Sequence, residues 1–235
     1  MSRRTIFVLG AGASKDAGAP LMSDFLDAAD AIRNRQDGSI QPNSNLDEQF
    51  KLVFSAIAQR QGVFAKSTLE LDNIESIFAA FEMAELFGRL GSLKRAEVDR
   101  LTTAIKSVIV TTLEKTLKFP VSKGSIQPPT PYREFADLVR DLSGHFPVTV
   151  MTFNYEIAID YALQYASIPI NYCLESGTSA SYVSLLKLHG SLNWTRCPAC
   201  GQIAVLRLED WLSRKTYMGG EGRHSLNELG ATSMR

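Results

Sequence analysis

Thr5-Ile6-Phe7-Val8-Leu9-Gly10-Ala11-Gly12-Ala13-Ser14 decides how this chain is read. Mostly apolar residues run straight into two glycines and then reach a serine of the kind that caps helices. That order is the grammar of a strand, a tight turn and a helix start, the opening unit of an α/β sheet. Such a turn gathers backbone N–H groups at the positive end of a helix, where phosphate fits. Gly10 and Gly12 let the backbone turn and come close to a pyrophosphate. A glycine turn also serves merely to join strand to helix, and from this stretch alone the two readings stand even.

Outward from the turn, Leu21 to about Arg35 reads as a helix, residues 38–45 as a polar loop, and Leu46 to about Arg60 as a second helix. Asp72-Asn73-Ile74-Glu75 has the form of a capping box with Asp72 as N-cap, ahead of Ile74, Ile77, Phe78 and Phe81 at helical spacing. A further helix is expected from about Lys94 to Lys118, with Val98, Leu101, Ile105, Val108, Ile109 and Leu113 on one face. The proline-rich segment from Phe119 to Pro131 ends this helical section. The pattern then changes to helix (132–142), buried strand (147–153), helix (155–165), short strand (168–172) and strand (182–188). Strands alternating with helices imply a parallel sheet. The expected fold is therefore a three-layer α/β sheet in one domain: core residues 1–20 and 132–208, a mainly helical insertion and connector at 21–131, and a tail at 209–235.

Composition narrows the function classes. The chain has 235 residues, with 45% apolar and 21% charged, which fits a folded globular domain. Lys plus Arg and Asp plus Glu number 25 each, so no global field draws in nucleic acid or an anionic membrane, and direct nucleic-acid binding is not expected. Three cysteines make no disulfide framework and fit a reducing, cytoplasmic setting. Ser2-Arg3-Arg4 imitates an export signal, but the apolar run after it stops at Leu9, short of the roughly 7–15 residues a secretory signal needs. No stretch approaches the roughly 18 apolar residues of a membrane span, so a membrane partner is not expected either.

Two later stretches carry side chains suited to chemistry. Thr152-Phe153-Asn154-Tyr155-Glu156 follows a buried strand, and open α/β sheets bind ligands at the carboxyl ends of their strands. Asn154 there is suited to capping the next helix. From this stretch alone capping is the favoured reading, but the uncharged amide, offering both donor and acceptor, also suits holding a ribose hydroxyl or an attacking water. Lys187-Leu188-His189-Gly190-Ser191-Leu192-Asn193-Trp194 ends another strand. A lone histidine is commonly a structural hydrogen-bonding group, but an imidazole near its usual pKa of about 6.5 accepts a proton at neutral pH. Gly190 would leave room for a ligand beside it.

Taken together these motifs carry a resemblance. Gly10 to Pro20, GAGASKDAGAP, resembles the first signature of the Sir2 (sirtuin) superfamily, GAG-x-S followed by AG-x-P. TFNYE is similar to that superfamily's T-x-N-x-D/E motif, and KLHGS-x-NW looks like its histidine motif, especially in bacterial Sir2-like NAD-cleaving effectors of phage defence. The three occur in the family's order across residues 5–194. The resemblance implies a Rossmann-like sheet and NAD as substrate, with hydrolysis to nicotinamide and ADP-ribose. It makes Asn154 and His189 the catalytic pair and assigns NAD contacts to Gly10, Ala11, Gly12, Ser14, Pro20, Thr152, Phe153 and Tyr155. It also implies defence by NAD depletion within a homo-oligomer or beside a partner defence protein. Two other readings use the same residues: an NAD-dependent protein deacylase, and a module that binds NAD or ADP-ribose without cleaving it.

Departures from the family pattern matter as well. Pro20 is followed by Leu21-Met22-Ser23 where the deacetylase signature has Asp-Phe-Arg, which weighs against deacylation. The family's final glycine-containing Rossmann strand has no counterpart after Leu208, so the expectation is a fragment or a shortened domain, with adenine-side binding in doubt. Cys197-Pro198-Ala199-Cys200 resembles the first half of a sirtuin zinc ribbon, but it supplies two of the four ligands that a structural zinc site takes. Cys173 and His224 have no fixed relation to it in sequence. Gly177-Thr178-Ser179 precedes the histidine, whereas the family's GTS motif follows it, and it reads as a loop.

Overall fold

The computed structural model describes residues 4–34, 40–63, 73–122, 125–174, 182–197 and 199–208. The chain divides into two compact units, one formed by Met1–Ala19 with Leu117–Arg235 and the other by Pro20–Thr116. The boundary at 116/117 leaves the proline-rich connector with the sheet unit.

The sheet unit opens with β1 (Thr5–Leu9) and a 3-10 helix (Ala11–Ala17), followed by a small antiparallel pair, β2 (Val121–Ser122) and β3 (Ser125–Ile126). Next come α6 (Thr130–Ser143), numbered after the helices of the helical unit that precede it in the chain, β4 (Val148–Thr152), α7 (Ala158–Tyr165), β5 (Ile170–Asn171) and β6 (Val183–Lys187). A hairpin of β7 (Trp194–Arg196) and β8 (Ile203–Val205) ends the described part. Four strands form a parallel sheet in the order β1-β4-β6-β5, so the fold is mixed α/β. Strand β4 is apolar because it is central. Its Val148 and Val150 point into the same face as Phe7 and Leu185.

That face is covered by α6, whose Phe135 meets Phe7 edge-on at 5.0 Å, and by α7, whose Asp160 reaches Lys187. On the opposite face Ile6 and Val8 are 60% and 62% exposed, and Thr149, Met151, Ser184 and Leu186 are half-buried. Helices are expected on both faces from the sequence; the described α6 and α7 both lie on one.

The helical unit contains a short 3-10 turn (Met22–Asp24), α1 (Phe25–Arg33), α2 (Asn45–Val63), α3 (Ile74–Phe87), α4 (Arg95–Val98) and α5 (Leu101–Thr116). Helix α5 packs against α1, α2 and α3, and residues from all around it are buried, as befits a central helix. Its Leu101 and Ile105 are fully buried, as are Phe50 and Val53 of α2 and Ile77 and Phe81 of α3. The single helix expected from Lys94 to Lys118 is broken at Asp99–Arg100. The second piece starts afresh because Glu85 of α3 takes the free Thr102 N–H at 2.8 Å, a cap supplied from another helix. The cap of α3 is Asn73, whose Oδ1 accepts from Glu75 N and Ser76 N at 2.9 and 3.4 Å; Asp72 lies outside the described residues.

Asp47 gives this unit a pH dependence. Lys51 Nζ lies 2.7 Å from its carboxylate, Asn43 N–H donates at 2.8 Å, and Arg33 stands 3.9 Å away. The Lys51 hydrogen bond, then that from Asn43, hold the carboxyl below the usual range. A lowered carboxylate pKa adds stability above its unfolded value, lost as pH falls through the folded one. The melting-temperature gap between wild type and Asp47→Asn should therefore narrow between about pH 6 and about pH 2. An unchanged gap would exclude this role.

No helix among the described residues is long and apolar enough to cross a membrane.

Candidate functional site

The three motifs leave one edge of the sheet at one level. Leu9 stands opposite Thr152, and Thr152 opposite Lys187, so Gly10, Phe153 and Leu188 each begin the turn that follows a strand end. The ladder continues past the strands: Phe153 N–H donates to Leu9 O at 3.2 Å and Leu188 N–H to Thr152 O at 3.0 Å. Carboxyl ends of parallel strands are where open α/β sheets place ligands.

After β1 the chain enters a 3-10 helix, a tighter and shorter structure than the expected helix start, which ends at Gly18 with φ 89°. Ser14 is not its cap. The serine is buried within it and donates Oγ–H to Glu156 Oε1 at 2.7 Å. The backbone carbonyl of Ala13 beside it accepts from the Tyr132 hydroxyl, whose own proton is held more tightly by burial and by the charge of Glu156. Neither Gly10 nor Gly12 has positive φ, and a Cβ on either would meet nothing within 4 Å. The fold itself does not require glycine at these positions; the open space beside them is the reason that remains.

Asn154 is 8% exposed. It is not a helix cap, since α7 begins at Ala158 with Ile157 before it. Its Nδ2 donates to Gly10 O at 2.8 Å and to Ser14 Oγ at 2.7 Å, while its N–H goes to Thr152 Oγ1 at 3.1 Å. Both amide hydrogens are thus spent inside the chain, leaving Oδ1 to accept from outside.

His189 is half-buried between the residues flanking Asn154, with ring centroids 5.4 Å from Phe153 and 5.6 Å from Tyr155. Gly190 follows with φ 90°, so the turn itself demands glycine there. Leu192 N–H donates to Tyr155 O at 2.9 Å and ties the two loops together.

Sequence reasoning missed the polar groups beneath. Lys187 and Asp160 form an ion pair at 2.8 Å with both side chains 0% exposed, and Lys187 Nζ also donates to the backbone carbonyl of Glu156. Asp160 accepts from the Tyr172 hydroxyl at 2.6 Å, and Asn193 Nδ2 reaches that hydroxyl at 3.4 Å. Burial, then the Asp160 carboxylate, raises the Tyr172 pKa. Burial also pushes the Glu156 carboxyl up, against the pull of the Lys187 ammonium and of hydrogen bonds from Ser14 and the Ala158 N–H. The available signal was parity: Lys187 ends the apolar run Val183–Lys187 on the same face as Val183 and Leu185, where an unpaired cation is costly.

The remaining predicted residues are less tightly drawn in. Ala11 is half-buried beside the exposed Gly12, and Pro20 begins the helical unit. Glu75 lies in the first turn of α3. Cys197 and Cys200 are exposed at the turn joining β7 and β8. Backbone N–H groups of Cys200 and Ala199 lower the Cys197 thiol pKa, with help from the Cys200 side chain. Among the described residues, no cluster of three or more His, Cys, Asp or Glu is placed to hold a metal. The two thiols supply two of the four ligands that a structural zinc site takes. His224 and residues 177–179 lie outside the described residues.

No protein-family model matches the chain, and none of the curated proteins compared with it matches.

Proposed function

We propose that this chain is an NAD glycohydrolase with a Rossmann-like core, hydrolysing the bond between nicotinamide and C1′ of the ribose. The observation that carries the reading is the alignment of Leu9, Thr152 and Lys187, which brings the glycine turn, Asn154 and His189 to one edge of a parallel sheet. Breaking the C1′–N bond leaves an oxocarbenium-like sugar, and a water oxygen forms the new bond to C1′. The products are nicotinamide, ADP-ribose and a proton. Asn154 Oδ1 accepts a hydrogen bond from that water or from a ribose hydroxyl, and as a neutral acceptor it stabilises positive charge without competing as a nucleophile. His189 takes the proton as general base. The open side of Gly10 and Gly12 receives the pyrophosphate.

Nicotinamide release from NAD by the full chain, with and without an acetyl-lysine peptide, tests this. Release independent of peptide is expected. Release only with peptide would replace the reading by deacylation, and binding of ADP-ribose without any release would replace it by a non-catalytic module.

A further inference from the structure

An asparagine amide is nearly symmetrical in shape, so its partners decide which end faces the ligand. Gly10 O can only accept a hydrogen bond, which draws Nδ2 inward. Ser14 is ambivalent, because its hydroxyl can donate to Asn154 or accept from it. The choice is made one step deeper, at Glu156. Its Oε1 takes the Ser14 proton and its Oε2 takes the Ala158 N–H, so both carboxylate oxygens act as acceptors. With its hydrogen committed, Ser14 has only lone pairs to offer Asn154.

We propose that Glu156 is a positioning residue that, through Ser14, holds the Asn154 amide with Nδ2 inward and Oδ1 toward the ligand. The role of Oδ1 rests on the glycohydrolase reading; the orientation itself does not. Lys187 completes the arrangement by gripping the Glu156 backbone carbonyl and Asp160, so Glu156 is held at its backbone by Lys187 and at its carboxylate by Ser14 and the Ala158 N–H. One chain of contacts thereby joins all three motifs: Ser14 from the first, Glu156 and Asn154 from the second, Lys187 from the third.

Glu156→Gln tests the idea, because glutamine has a single acceptor oxygen. The Ala158 N–H is fixed by the backbone and can only donate, so it keeps that oxygen; the NH2 end then faces Ser14, whose hydroxyl accepts from it and is released to donate toward Asn154. Solvent exchange of the Asn154 side-chain NH2, read by NMR on asparagine-labelled full chain without NAD, should be slow in wild type. It should become about tenfold or more faster in the variant as the amide loses its fixed partners. With NAD, kcat should fall about 10–100-fold while KM stays within about twofold, the pattern of a misplaced group that acts only in the transition state. Equal exchange in wild type and variant would overturn the proposal even if NAD is cleaved. Faster exchange in a protein that releases no nicotinamide would support the positioning role and remove the glycohydrolase reading. If Glu156→Gln does not fold, Ser14→Ala makes the same exchange measurement: faster exchange supports the relay, and unchanged exchange rules it out.

Discussion

Replacing Lys187 by methionine is expected to destabilise the sheet unit by about 3–5 kcal/mol, because it leaves the Asp160 carboxylate buried without a counter-charge. The pair is fully enclosed, so water cannot solvate the survivor. Urea unfolding of wild type and Lys187→Met measures the loss. Adding Asp160→Asn to Lys187→Met should recover part of it, since a neutral amide can still accept from the Tyr172 hydroxyl. A cost below about 1 kcal/mol for the single variant would mean that the cluster behaves like a surface pair. Removing the ammonium also releases the Glu156 backbone carbonyl, so any Lys187→Met protein that folds should cleave NAD poorly.

The second large effect is expected at Asn154. Asn154→Ala removes the acceptor proposed to face the sugar, and nicotinamide release should fall by about 10²–10³-fold, the range seen when one transition-state hydrogen-bonding group is deleted. Asn154→Asp is the sharper variant. It keeps the shape and an outward oxygen, but presents lone pairs to Gly10 O and competes with Glu156 for the single Ser14 proton. It should therefore be no more active than Asn154→Ala, with stability reduced further. Wild-type rates in the aspartate variant would show that the outward oxygen alone suffices and that the two inward hydrogen bonds do not matter.

Much of the frame was legible because it depends on local pattern. The Pro147–Phe153 run reads as a buried strand and Leu101 to Leu113 as a helix with an apolar face, and the structure has a strand and a helix there. The three motif loops were legible too, as glycines and polar residues at strand ends. What escaped depends on partners distant in sequence. The break at Asp99–Arg100 is set by Glu85, and no local signal such as proline marks it. Ser14 looked like a cap because its partners Asn154 and Glu156 lie about 140 residues on. Asn73 caps α3, and Asp and Asn serve equally as caps, so the pattern cannot settle a one-residue difference. Lys187, Asp160 and Glu156 were passed over because a charged residue reads as surface until the pairing that permits its burial is seen.

Lys118 N–H donates to Ala17 O at 2.7 Å, so the backbone departs for the helical unit and returns from it at hydrogen-bonding distance. The long excursion is a closed cassette on a short stem. A stem of this kind requires of any insert that its two ends meet. Loop-closure entropy rises slowly with loop length, so inserts of very different size can occupy the same stem at similar cost to the pairing of β1 with β4. A short glycine-rich turn grafted between Ala17 and Lys118 would keep Ser14, Asn154 and His189 on one chain, and the folding of that variant measures how far the sheet unit depends on its insert.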